Sequence, residues 1–327
     1  MRLTHAVTAA ILAASLAFPV QAADKMKIAM IVKSMGNGFF DAAHQGADEA
    51  AKQLGDVDVI YTGPAKPTAE GQIELINSLV AQKVSAIVIS ANDPDALVPA
   101  TKKAMARGIK VLSFDSAINK DGRLFHLAPS SNALIGEKLV KMTQEAIGNT
   151  GEIAILSATA QATNQNAWIA EVKKVLAKPE YSGLKLVTVV YGDDQTDKSY
   201  REAQGLFKSY PNLKAIIAPT TVGIAAASKA VQDANLVGKV YVTGLGLPSE
   251  MAGHVKNGVV KSFAIWNPID LGYSITYAAH DFVTGKAGST ISLGRVGTVK
   301  PDANGEAPMA EPFTYDASNV DKFAKFF

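Results

Sequence analysis

The 327-residue chain contains no cysteine, which removes thiolate nucleophiles, thiolate metal sites and disulfide frameworks together. Stability must then come from core burial. Histidine is nearly as scarce. Beyond His5 there are His44, His126, His254 and His280, with no pair at metal-ligand spacing and no identifiable base beside a nucleophile. No Gly-x-Ser-x-Gly elbow is present either, so hydrolase chemistry has no recognisable carrier. An excess of one charge is also missing. With Arg2 set aside, 31 basic side chains face 30 acidic ones, which argues against a surface built for phosphate backbones. No metal, cofactor or catalytic residue is expected.

Long apolar runs are absent after the first twenty residues. The most apolar later stretch, 215–227, is interrupted by Pro219, Thr220 and Thr221. The opening run, Ala6 to Phe18, follows Arg2 and His5 and ends in Val20-Gln21-Ala22. A positive start, an apolar middle too short to span a bilayer and a small-x-small ending describe a cleaved export signal over residues 1–22. The mature protein is therefore expected to be soluble and exported. A repressor of similar build would carry a helix-turn-helix module where this signal stands.

About 300 mature residues predict two lobes at ordinary domain size. Hydrophobic residues make up 48% and charged residues 19% of the chain, the balance of a packed globular protein. Continuously apolar, β-branched runs at Lys27–Val32, Val57–Tyr61, Ala86–Ser90 and Lys110–Phe114 read as buried parallel strands. So do Glu152–Leu156, Leu186–Tyr191, Ala215–Ala218 and Val240–Thr243. Stretches with helical periodicity, such as Phe40, Ala43, Ala47, Ala50, Ala51 and Leu54, lie between them. The alternation predicts an α/β protein of two doubly wound parallel-sheet lobes joined by a multi-strand hinge. The series restarts near Gly151. We expect 23–128 and 268–292 in the N-terminal lobe, and 129–267 and 293–327 in the C-terminal lobe.

In open α/β sheets, ligands bind beyond the carboxyl ends of the strands. That rule selects Lys33, Asn37, Phe39 and Phe40 after the first strand and Asp115 after the fourth. In the second half it selects Asn164, Gln165, Pro219, Thr220, Thr221, Gly244 to Pro248, Trp266, Asn267 and Asp270. Planar polar groups and aromatic faces together suit a sugar, whose hydroxyls both donate and accept while its C–H faces stack on rings. Asp115 and Lys33 are the natural anchors, since charged partners strengthen hydroxyl hydrogen bonds. Gly244-Leu245-Gly246 follows a strand but has Ser249 where a dinucleotide fingerprint needs its third glycine. The acidic run Asp193-Asp194-Gln195-Thr196-Asp197 lacks the glycine and terminal glutamate of a calcium loop, and reads as a turn and helix cap.

At these residues the chain resembles the periplasmic type I sugar-binding proteins, the ribose-binding protein group, over nearly all of the mature sequence. Asn37-Gly38-Phe39-Phe40 matches that family's Asn-x-Phe-Phe opening, and Asp115 its acidic ligand at the end of the fourth strand. Several blocks are similar to the rhamnose-binding branch of the bacterial importers. They are Gly36 to Phe40 with Lys33-Ser34, Ser90 to Leu97, Thr163 to Asn166, Gly244 to Met251 and Ile265 to Asp270. The autoinducer-2-binding branch is similar in the same segments, its ligand residues falling at Lys33, Asp115, Asn164, Gln165, Pro219 and Thr221. Here Asn164 replaces that branch's aspartate and Thr221 its alanine. The ribose branch places an aspartate near Gly246, and this chain has none.

The resemblance implies the substrate-binding component of a sugar ABC transporter, a monomer that closes over its ligand and is not an enzyme. L-rhamnose is the expected ligand and autoinducer-2 the alternative. The partners it implies are the membrane permease and, second, a chemoreceptor.

Overall fold

The computed structural model describes residues 25–327; the export signal expected at 1–22 lies outside the described residues. The first half winds as β1 (Met26–Ile31), α1 (Gly38–Leu54), β2 (Val57–Thr62), α2 (Ala69–Ala81), β3 (Ala86–Ile89), α3 (Val98–Ala106), β4 (Lys110–Phe114) and β5 (Phe125–Ala128). The second runs α4 (Asn132–Ile147), β6 (Gly151–Ser157), α5 (Thr163–Leu176), β7 (Leu184–Tyr191), α6 (Thr196–Ser209), β8 (Leu213–Ala218), α7 (Thr221–Asp233), β9 (Tyr241–Gly244), α8 (Pro248–Lys256) and β10 (Ser262–Ile265). The chain ends with α9 (Pro268–Thr284), β11 (Ile291–Ser292), β12 (Thr298–Val299), β13 (Glu306–Pro308), β14 (Phe313–Asp316) and α10 (Val320–Phe323).

Two parallel sheets result, ordered β2-β1-β3-β4-β5-β13 and β7-β6-β8-β9. A bridge from Leu245 to Ala264 hands the second sheet on to the antiparallel pair β10-β14. Alternation along β1 shows why its run is apolar on both faces. Ile28 and Met30 pack into the core beneath α1 and α9, while Ala29 and Ile31 pack against α2 and α3. The helices start where the sequence stops them from starting earlier. The Asn37 side chain caps α1 by accepting from Phe39 N, Thr68 caps α2, and Asn267 followed by Pro268 opens α9.

The sheet order reverses between β1 and β3 in one half and between β6 and β8 in the other. Each reversal opens a crevice at the carboxyl ends of the strands, and the two crevices face one another.

The C-terminal segment departs from expectation. Residues 293–327 do not all join the second half: Glu306–Pro308 pairs in parallel with β5 on the first sheet, and only β14 and α10 return to the second. Three residues including a proline carry no periodic signal, and proline is tolerated because the strand lies at the sheet edge. A tertiary contact fixes it there. The Arg123 guanidinium is buried, donates to the Ile118, Asn304 and Gly305 carbonyls and pairs with Glu306. The chain thus passes between the sheets at 129–131, 266–267 and 309–312.

β5 is likewise absent from the sequence reading, because His126 interrupts its apolar run. His126 is buried, its Nδ1 lying 2.9 Å from Ser113 Oγ, and burial pushes its pKa down to about 3.

Candidate functional site

Strand ends from both halves converge on one cavity at the seam between them. From the first half come Lys33, Asn37, Phe39, Phe40 and Asp115; from the second come Asn164, Gln165, Trp168, Asp194, Pro219, Thr220, Thr221, Leu245, Ile265 and Trp266.

Lys33 and Asp115 form its charged centre. Lys33 follows β1 and Asp115 ends β4, so the parallel sheet delivers both to the same edge. Their ammonium and carboxylate lie 3.8 Å apart, with side chains only 5% and 7% exposed. Asp115 Oδ2 accepts from Ser90 Oγ at 2.7 Å. Its backbone φ of +57° is in the left-handed region, which aspartate tolerates better than most residues and which re-aims the side chain at the strand end.

Asn164 carries this pair across the seam. Its Oδ1 accepts from Lys33 Nζ at 3.0 Å, and its Nδ2 donates to Asp115 Oδ1 at 2.9 Å. A second crossing runs from Thr221 Oγ1 to Asn37 Oδ1 at 3.5 Å. A third, at the rim, runs from Thr163 Oγ1 to the Ala117 carbonyl at 3.0 Å. Gln165 is held at both ends: Ser157 Oγ donates to its Oε1, and its Nε2 donates to the Pro219 carbonyl at 2.6 Å. It fixes the loop bearing Pro219 to Thr221.

The aromatic wall is one connected cluster. The Phe39 ring meets Trp266 edge-on at 6.2 Å, and Trp266 lies 5.7 Å from Trp168. Phe40 turns back onto Phe114, so one of the two consecutive phenylalanines also serves the core. Trp266 is buried, and among the described residues its Nε1 has no hydrogen-bond partner. It is a buried donor still without an acceptor among those residues.

Asn267 is not part of this cavity. Its Oδ1 accepts from Ile269 N and Asp270 N and its Nδ2 donates to Asp270. The cap that starts α9 occupies all of its polar atoms, and the correction follows from the Pro268 beside it.

Thr220 and Leu245 line the cavity within the strand-end segments read from sequence. Three lining residues escaped the sequence reading. Trp168 lies one turn beyond Asn164 on the same face of α5, and Ile265 ends β10. Asp194 had the clearest signal, standing just past β7 where the strand-end rule applies. The turn expected from its charge pattern is present, just before the Gln195 cap of α6. Asp193 and Asp194 both adopt positive φ, +54° and +50°, and Thr220 Oγ1 donates to Asp194 Oδ1. Burial pushes the Asp194 carboxyl up; the Lys33 ammonium and the Thr220 hydroxyl pull it down, and Asp115 and Asp193 add to the rise.

Among the described residues no cluster of three or more His, Asp or Glu is placed to hold a metal ion, and no helix is long and apolar enough to cross a membrane.

Two doubly wound halves, with a polar and aromatic cavity at the seam, define the class of two-lobed solute-binding proteins. The pattern of the periplasmic binding protein domain matches residues 28–287. An ABC transporter solute-binding protein from Clostridium phytofermentas, solved with bound L-rhamnose, is 38% identical with a TM-score of 0.89 over 93% of this chain and 99% of that one. The D-ribose/D-allose-binding protein of Pseudomonas aeruginosa is 28% identical over 253 residues, 74% of this chain and 77% of that protein. LsrB from Clostridium saccharobutylicum, in complex with AI-2, shares the fold at a TM-score of 0.86 and 22% identity, over 91% and 99% of the two chains. This chain belongs to the periplasmic binding protein family, among the sugar-binding components of ABC transporters. The relatives named here are binding proteins, not enzymes.

Proposed function

We propose that the protein captures L-rhamnose in the periplasm and delivers it to a membrane permease, working as a monomer. The observation that carries this reading is the division of the cavity into a charged centre and an apolar corner. Lys33, Asp115 and Asn164 can pair with sugar hydroxyls, and Trp266 Nε1 adds a donor. Leu245, Ile265, Trp168 and Trp266 supply the same lining with apolar members, against which a methyl group is better accommodated than a hydroxymethyl. A 6-deoxyhexose has both requirements in one molecule. The bound sugar in the Clostridium phytofermentas relative has the same character.

A ligand touching both halves stabilises the closed arrangement by whatever affinity it lacks for the open one. The rim brought together on closing is the surface a permease, or a chemoreceptor, would read.

L-Mannose differs from L-rhamnose only in carrying a 6-hydroxyl, so it isolates the apolar corner. Calorimetry should show saturable L-rhamnose binding, with L-mannose weaker by roughly 5- to 150-fold. That corresponds to about 1–3 kcal/mol for a hydroxyl buried without a partner. Equal affinity for the two, tighter binding of D-ribose, D-allose or autoinducer-2, or product formation from a rhamnoside would overturn the proposal.

A further inference from the structure

Two carboxylates and one ammonium meet in this cavity, and the charges do not balance. Asp115 has Lys33 at 3.8 Å and the hydrogen bonds of Ser90 and Asn164. Asp194 approaches from the opposite half with, among the described residues, one donor, Thr220 Oγ1, on its Oδ1. The charged groups that bear on it are Lys33 after β1, Asp115 at the end of β4 and Asp193 on its own turn, and Asp193 is already paired with Lys198 of α6. Lys33 is thus ion-paired with Asp115 and bears on Asp194 only through its longer-range field.

We propose that Asp194 is a specificity residue that carries a proton when the lobes are closed on an uncharged sugar, so that capture is coupled to proton uptake. The inference rests on the sugar-binding reading of the cavity. With Oδ1 engaged by Thr220, a proton on Oδ2 makes Asp194 a donor to a sugar oxygen, a role that an ionised carboxylate cannot fill. The arrangement also selects among ligands. A sugar acid or sugar phosphate would add negative charge to a cavity already short of positive charge, whereas a neutral deoxyhexose adds none. Burial, the leading cause of the raised Asp194 pKa, acts in the same direction.

The sign of the pH effect follows from linkage. When the lobes part, water returns to Asp194 and its pKa falls toward the ordinary 3.8. The closed form then binds more protons than the open form. Affinity is highest below the open-state pKa, falls by about tenfold per pH unit above it, and levels off once the closed-state pKa is passed.

Calorimetric titration of L-rhamnose from pH 4.5 to 8.5, in buffers of differing ionisation enthalpy, tests this on the wild type and Asp194→Asn. The wild type should take up protons on binding and lose affinity as pH rises. Asp194→Asn should take up none, show a flat profile and bind more tightly than the wild type at pH 8. A flat wild-type profile, an unchanged slope in Asp194→Asn, or loss of its binding at every pH would overturn the inference. If L-rhamnose gives no heat with either protein, the ligand reading fails, and the same titrations with the neutral sugars D-ribose and D-allose decide on Asp194. Proton uptake by the wild type but not by Asp194→Asn supports the proton assignment, and equal uptake by both overturns it.

Discussion

Asp115→Ala should weaken L-rhamnose binding by at least about 100-fold in calorimetry, the largest loss expected of any single cavity substitution. The carboxylate is the acceptor for Ser90 Oγ and Asn164 Nδ2 and the partner of Lys33. Removing it leaves an ammonium that is only 5% exposed without its nearest counter-charge. Breaking one side of a buried pair costs about 3–5 kcal/mol, several times the ~1 kcal/mol of an ordinary hydrogen bond. Asp115→Asn separates charge from shape. Asparagine also tolerates the φ of +57° and can still pair with a hydroxyl, so its loss should be nearer tenfold. Affinity unchanged in both variants would remove Asp115 from the site.

The second large effect is on stability and lies away from the cavity. Helices α1 and α9 cross so closely that a Cβ on Gly46 would stand 1.8 Å from the Ile269 carbonyl oxygen, and one on Gly272 would stand 1.8 Å from that of Ala43. Two reciprocal glycines admit the contact. In an isolated helix, Gly→Ala is stabilising by about 1 kcal/mol. Here the obstacle is backbone, which cannot swing aside as a side chain can. The clash should win, because parting the helices would disturb the packing of α9 on α1, β3 and β4. Gly46→Ala is expected to lose at least ~3 kcal/mol, lowering the thermal midpoint by roughly 6–12 °C at the 2–4 °C per kcal/mol typical of chains this size. A midpoint equal to or above the wild type would show that the helices can separate at little cost.

Much of the fold was legible because buried parallel strands are apolar throughout, and eight of the runs read from sequence coincide with strands to within a few residues. The strands that were not legible are short and set by partners distant in sequence. β5 is four residues long with a buried histidine inside it, and β13 is three residues long and held by Arg123. Neither length leaves room for a periodic signal.

The site followed the same division. Residues directly after strands were found by the strand-end rule, and Lys33, Asp115 and Trp266 all line the cavity. Asn267 obeys the same rule yet serves a helix, because Asn-Pro is also a strong helix start. Asp193 and Asp194 do form the turn their charge pattern suggests, ahead of the Gln195 cap of α6; what the pattern did not reveal is that the path of β7 aims this turn into the cavity. Trp168 comes from the interior of α5, where a tryptophan and a core residue look alike until the facing lobe is placed.

On this reading, side chains from two separately folded halves enclose one small neutral polyol at their seam. A crystal structure of the protein grown with L-rhamnose should show the sugar between the halves, its hydroxyls within hydrogen-bond distance of Lys33, Asp115 and Trp266 Nε1 and its methyl against Leu245 and Ile265. Sugar density elsewhere, for instance in the surface groove beside Arg295 and Phe326, with the seam closed on itself, would contradict it.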